Sequence, residues 1–163
     1  MKEEPNRSDI LSHGQVDAVR RVCRSDRWPF FWALIETGAR QGEVLNLRGG
    51  DISVDTDVVT FRSRPGSKSR GRERHVPASP ELAACLRALA SKRGGGPLFP
   101  LGRRTIREWW GEICKAAAIT GVTLHGIRAT YITRALDAGV ALVDVQKLVG
   151  HADLVTNEVL PEH

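Results

Sequence analysis

Two arginines, two histidines and a lysine in this chain could together manage a phosphodiester. Arg40 stands in Thr37-Gly38-Ala39-Arg40-Gln41-Gly42-Glu43, Arg128 in Leu124-His125-Gly126-Ile127-Arg128-Ala129-Thr130, and His151 follows Gly150 near the C-terminus. Transfer of a phosphodiester builds negative charge on the non-bridging oxygens. A guanidinium meets that need, because its planar fork binds two oxygens and stays protonated at any working pH. The reaction also needs an acid for the leaving oxygen and a base or hydrogen-bond donor near the attacking hydroxyl. His125, His151 and Lys68, the lysine of the basic stretch 62–74, complete that inventory.

Spacing sharpens the reading. His125 and Arg128 are three apart, so on one helical turn they are neighbours able to reach a single phosphate. Between His125 and His151 there is room for a helix, a turn and a second helix that return the histidines to each other. Each residue also has a plainer reading. Arg40 alone could be a surface arginine at a helix end, His125 a core histidine satisfied by backbone, and His151 a loop histidine. Arg62, Arg64, Lys68, Arg70, Arg72 and Arg74 face only Glu73 in their stretch. A charge run of this kind is usually a solvated hairpin; beside a phosphate site it would hold a nucleic-acid backbone, with affinity falling as salt rises.

The elements that must position these residues are mainly helical. Residues 1–11 lack periodicity and read as a flexible tail, with one domain over 12–163. Ser12-His13-Gly14-Gln15 has the form of a capping box ahead of Val16, Val19, Val22 and Cys23 at helical spacing. A second helix is predicted over 29–37, with Gly38 ending it, and a short one over 41–47, so Arg40 falls at a tight junction. The β-branched segment 51–61 reads as one or two strands, and His75-Val76-Pro77 as a returning strand. Ser79-Pro80-Glu81 opens a helix with Leu82, Cys85, Leu86 and Leu89 as its apolar stripe. Arg93 to Pro97 is a loop. Thr105-Ile106-Arg107-Glu108 reads as another capping box, and further helices are predicted over 125–138 and 142–149. The fold class is therefore mainly α with a small antiparallel β-sheet.

Composition sets bounds. At 163 residues with 41% hydrophobic and 26% charged side chains, the chain suits a globular domain and excludes a disordered one. Its net charge of +5 favours a polyanionic partner. Cys23, Cys85 and Cys114 have neither disulfide-framework nor zinc-site spacing, and read as buried, reduced packing residues. The N-terminus is too polar for a signal peptide, and no apolar run is long enough to span a membrane. A cytoplasmic protein is expected. Trp109 and Trp110 read as a core-and-rim pair and not as a platform for stacking bases.

The three motifs together resemble the tyrosine recombinase, or phage integrase, family. The segment 37–43 resembles its first arginine motif, 124–130 its second, and Leu148-Val149-Gly150-His151 its third, all in the family's order. The resemblance implies site-specific DNA cleavage and rejoining through a 3′-phosphotyrosyl intermediate, without metal or other cofactor. It implies that Arg40 and Arg128 clamp the scissile phosphate, that His125 assists proton transfer with the tyrosine, and that His151 donates to a phosphate oxygen. Glu43 would buttress Arg40. Lys68, in the hairpin before the Arg74-His75-Val76-Pro77 return strand, would protonate the leaving oxygen, although it stands one residue further from that strand than is usual. Double-stranded DNA is the implied partner, with a homo-oligomer assembled on it.

The chain departs from the family in two places. Counting forward from His151 at the family's spacing gives Leu160 where the nucleophilic tyrosine belongs, and leucine has no nucleophile. The helical DNA-clamp domain that usually precedes the catalytic one has no counterpart in residues 1–11. A decayed gene, a truncated or engineered chain, and a tyrosine supplied by another chain are three open origins for Leu160. The competing reading is a non-catalytic DNA-binding protein that keeps the phosphate clamp; a water-using phosphodiesterase is weaker, since nothing here activates water. Tyr131, the chain's single tyrosine, lies three residues after Arg128 and reads as an apolar, core-facing position.

Overall fold

The computed structural model describes residues 9–62 and 73–150. The expectations for Arg64, Lys68, Arg70, Arg72, His151 and Leu160 lie outside the described residues. In order, the elements are α1 (His13–Val22), α2 (Trp28–Thr37), α3 (Gln41–Leu45), a 3₁₀ turn (Gly49–Asp51), β1 (Val58–Arg62), β2 (Glu73–Pro77), α4 (Pro80–Arg93), α5 (Arg103–Ala117), α6 (Leu124–Asp137) and α7 (Leu142–Val149). The class is mainly helical with a two-stranded antiparallel sheet.

Helix α2 is the centre of the core because its sequence, WPFFWALIET, is apolar on nearly every face. Phe30 and Phe31 are almost completely buried, which removes enough apolar surface to contribute roughly 1.5–3 kcal/mol each. Phe30 meets the Phe99 ring edge-on at 5.4 Å, and Phe31 stacks on Trp110 at 5.8 Å. Trp110 donates its indole N–H to the Val122 carbonyl at 2.8 Å. Its neighbour Trp109 lies at the rim, under the Arg27 guanidinium at 4.6 Å. The core-and-rim expectation for this pair matches the structure.

The capping signals of α1 and α4 are also met. The Ser12 hydroxyl accepts the Gln15 N–H, and the Gln15 side chain accepts the Ser12 N–H in return. Ser79 caps α4 by accepting from Leu82 at 3.1 Å. The box predicted at Thr105 does not form. Helix α5 begins three residues earlier, with Gly102 at its N-cap, so Thr105 already sits inside the first turn and Glu108 pairs with Arg104 instead. Leu11, placed in the tail on sequence grounds, departs from that expectation. Leu11 is 2% exposed and donates its N–H to the Thr130 hydroxyl at 2.9 Å, so it belongs to the packed domain. The three cysteines are free but only half-buried, where full burial was expected.

The hairpin pairs Val58 with Pro77, Val59 with Val76, Thr60 with His75, Phe61 with Arg74 and Arg62 with Glu73. Val59, Phe61 and Val76 face the core. Alternation then sends Arg74 inward beside them, while Arg62 and Glu73 take the opposite face. Helix α7 closes the described chain. It is held by a separate small cluster of Ile132, Val145 and Val149, with Tyr131, Ala135 and Leu148 packed against it.

Candidate functional site

The site begins where α2 stops. Gly38 ends that helix in the left-handed region, φ 70°, and a Cβ there would overlap the ring of Tyr131, so both backbone and space call for glycine. The chain then extends through Arg40 (φ −74°, ψ 149°) into α3. Glu43, in the first turn of α3, accepts the Arg40 N–H on Oε1 at 2.9 Å, which fixes the backbone from which the Arg40 side chain departs. That side chain is about one-third exposed, and its Nη1 lies 3.8 Å from Glu43 Oε2, outside hydrogen-bonding distance.

Arg128 reaches the same place from α6. It is 2% exposed, donates Nη1 to the Gly38 carbonyl at 2.6 Å and Nη2 to the Val149 carbonyl. One guanidinium thus joins the end of α2 to the end of α7. Gly150 follows at φ 104°. A Cβ placed on it would lie 3.6 Å from Arg128 Nη2, 3.7 Å from Arg40 Nη1 and 3.7 Å from Arg74 Cδ. Three arginines from α6, the α2–α3 junction and β2 therefore converge on the turn that leads into His151.

Arg74 differs from its expected role as one more nucleic-acid contact on a solvated hairpin. Its side chain is 10% exposed, and its guanidinium carbon lies 5.4 Å from the centre of the Phe61 ring. Nη2 donates to Glu43 Oε1 and Nη1 to the Leu148 carbonyl. The signal was available in the sequence: Arg74 is two residues before Val76 and shares its face. Arg62, also expected to face nucleic acid, is half-exposed but engages Asp51 through Nε at 2.7 Å and Glu73 through Nη1.

His125 is the second residue of α6 and is exposed, whereas Arg128 one turn later is buried. The three-residue spacing puts them at the same helix end at different depths, His125 at the rim and Arg128 at the base. Tyr131 packs on Gly38 and the α7 cluster. Burial pushes its phenol above the ordinary value of 10.0, Arg74 pulls it down, and Glu36 adds to the rise. It also borders a groove of about 680 Å³ with Trp28, Trp32 and Ile35, which Arg40, Arg74 and Arg128 do not line.

Chemically, the arrangement concentrates positive charge from Arg40, Arg74 and Arg128 around a backbone turn, with Glu43 as the carboxylate built into it. Such a site suits a tetrahedral oxyanion more than a planar apolar ligand. Among the described residues, no group of three His, Cys, Asp or Glu is placed to hold a metal ion, and no helix is long and apolar enough to cross a membrane.

The model of the Phage integrase family matches residues 25–159. Tyrosine recombinase XerA of Saccharolobus solfataricus is 28% identical over 151 residues, covering 91% of this chain and 50% of that protein. An Escherichia coli resolvase is 29% identical over 184 residues, covering 91% of this chain and 68% of its own. The crystal structure of XerA recombinase superposes with a TM-score of 0.76 at 25% identity, covering 92% of this chain and 58% of that one. XerH bound to its difH substrate, in a pre-cleavage complex, gives 0.76 at 17% identity, covering 95% and 50%; that likeness is one of fold. The chain spans about half the length of XerA.

Proposed function

Because the chain belongs to the phage integrase family of tyrosine recombinases, we propose that its arginine cluster grips the scissile phosphate of double-stranded DNA in site-specific cleavage and rejoining. The observation that carries this reading is the convergence of Arg40 and Arg128 on the Gly150 turn. Arg40 and Arg128 neutralise the non-bridging oxygens, which gain charge as the phosphorus becomes five-coordinate. His125, at the rim of the same helix, assists proton transfer at the attacking hydroxyl. His151, one residue beyond the turn, donates to a phosphate oxygen, and Lys68 protonates the leaving oxygen. Arg64, Arg70 and Arg72 hold the flanking backbone, and several copies of the chain assemble on the DNA.

The nucleophile is the exception. With Leu160 at the tyrosine position, this chain binds the phosphate but does not itself attack it. That residue favours a second reading, in which the clamp serves to occupy DNA sites and not to cut them.

Both readings are tested by incubating the protein with nicked duplexes that trap a covalent product, and resolving the mixture on a denaturing gel. The expected result is DNA binding that is weakened by Arg40→Gln, Arg128→Lys and added salt, with no covalent band. If Leu160→Tyr yields an adduct, the remaining machinery is competent and the recombinase reading stands; binding without an adduct in that variant selects the occupancy reading. An adduct formed by the unaltered chain and lost on Tyr131→Phe would overturn the roles given to Leu160 and Tyr131. Absence of DNA binding would overturn both readings.

A further inference from the structure

Helix α6 has a second face that the phosphate clamp does not use. Thr130 lies on it, 3% exposed. Its hydroxyl donates to the Gly126 carbonyl at 2.7 Å, one turn back, and accepts the Leu11 N–H at 2.9 Å. That second partner comes from the opposite end of the chain. Two neighbours on the same stripe of α6 repeat the pattern. A Cβ on Gly126 would lie 2.6 Å from the Asp9 carbonyl oxygen, so the backbone there sits directly against the helix. Arg134 Nη2 lies 2.9 Å from His13 Nδ1. Contacts thus recur every two residues along 9–13 and every four along α6. The segment runs beside the helix, in the same direction, as a strap over its 126–130–134 face.

Arg128 faces the other way. It stands two residues from both Gly126 and Thr130, which at about 3.6 residues per turn puts it roughly opposite them around the helix. There it bonds the Gly38 and Val149 carbonyls. Helix α6 is therefore held between the strap on one side and the ends of α2 and α7 on the other. We propose that Thr130 is a positioning residue: by fastening the strap at Leu11 it backs α6 against the Gly38 turn and sets the depth at which Arg128 meets the phosphate. The inference rests on the phosphate-clamp reading above. The strap is a firm support, because the Leu11 side chain is 2% exposed within the main core. A hydroxyl is the fitting group at 130, since it donates and accepts at once and so ties the helix both to itself and to the strap.

Valine has the shape of threonine and can make neither bond, whereas serine can make both. In Thr130→Val the Leu11 N–H is left buried without its acceptor, and the strap must lift to find water. Helix α6 then loses its backing and can withdraw from Gly38, carrying Arg128 with it. The consequence reaches past stability: the folded protein itself should grip phosphate less well. A residue that only stabilises the domain would lower the folded fraction and leave the affinity of the folded molecules unchanged.

The test compares the unaltered protein with Thr130→Val, Thr130→Ser and Leu86→Val, the last a change in the buried stripe of α4 that lowers stability without touching the strap. Binding of a short labelled DNA duplex is measured at several salt concentrations, at a temperature where circular dichroism shows every variant folded. Thr130→Val should bind about ten-fold more weakly, as expected when one charged hydrogen bond to phosphate is lost. Its log–log salt slope should be flatter by roughly one contact. Thr130→Ser and Leu86→Val should stay near the unaltered protein. In the DNA-free protein, the Arg128 Nε–H resonance should move in Thr130→Val and in neither of the other variants, and the Leu11 amide should exchange faster there. Unchanged binding in Thr130→Val, equal weakening in Leu86→Val, or a loss in Thr130→Ser as large as in Thr130→Val overturns the role of Thr130. If the unaltered protein does not bind DNA, the phosphate-clamp reading fails, and the Arg128 resonance alone decides whether the strap sets that side chain: a shift confined to Thr130→Val supports it and no shift overturns it. Should Thr130→Val not fold, Gly126→Ala, whose Cβ pushes the strap off the same face, takes its place in every comparison.

Discussion

Replacing Arg128 by methionine separates two jobs of one side chain. Methionine keeps most of the apolar stem and removes the guanidinium, so the change chiefly deletes the bonds to the Gly38 and Val149 carbonyls. Both carbonyl-bearing residues are buried. Leaving a buried acceptor unsatisfied costs about 1–3 kcal/mol. Two such losses are offset in part because a buried charge no longer has to be desolvated, for a net destabilisation of about 2–4 kcal/mol. For a chain of this size that corresponds to a fall in Tm of roughly 5–15 °C. Arg40, whose side chain is one-third exposed and ion-paired with Glu43 at 3.8 Å, sits nearer to water and should cost less than Arg128, about 1 kcal/mol, when changed to methionine. The assay is urea unfolding followed by circular dichroism, with thermal melts alongside. If the two variants are equally stable, or if Arg128→Met lies within 0.5 kcal/mol of the unaltered protein, the argument that Arg128 ties α2 to α7 fails.

Three further outcomes follow from the geometry. Gly126→Ala should destabilise by about 1–3 kcal/mol in urea unfolding, because its Cβ would lie 2.6 Å from the Asp9 carbonyl oxygen, a backbone atom that cannot simply swing away. Cys23 should label slowly with a thiol reagent at pH 8, since burial pushes its thiol up to about 11, with Arg27 lowering it and Asp26 raising it; the rate should climb as pH approaches that value, and fast labelling at pH 8 would contradict the burial. Because the folded thiol holds its proton above the ordinary value of 9.0, its contribution to stability is complete below pH 9 and is lost as pH rises through about 11. Tyr131 shifts in the same direction, so urea midpoints should decline through that alkaline window, and decline less in Cys23→Ala.

Much of the frame was readable from local chemistry. Ser12 with Gln15, Gly38 after an apolar run, and Ser79 before Pro80 each satisfy orphan helix-end groups within a few residues, so their effect is written in the sequence itself. Thr105 failed because a capping-box pattern also occurs inside a first turn, and Arg103 and Arg104 are helix formers that let α5 start from Gly102. Leu11 was missed because its burial depends on Thr130, more than a hundred residues away, and no periodicity surrounds it. The depth difference between His125 and Arg128 also eluded spacing alone: two residues at one helix end need not be equally deep. Arg74 is the instructive case. Its charge suggested an outward position, while its register with Val76 already placed it on the inward face, and register prevailed because the rest of that face is apolar.

Helix α7 packs on a small cluster of its own, and its last carbonyls hold both Arg74 and Arg128. That arrangement makes it a candidate for a separately opening unit within an otherwise cooperative domain. When α7 lifts, Arg74 and Arg128 each lose one carbonyl partner together, keeping Glu43 and the Gly38 carbonyl respectively. The clamp is then a property of a population: its fraction assembled follows the local opening equilibrium of eight residues. Amide exchange along α7 measures that equilibrium directly, and a variant that fills the Ile132–Val145–Val149 cluster better would slow that exchange.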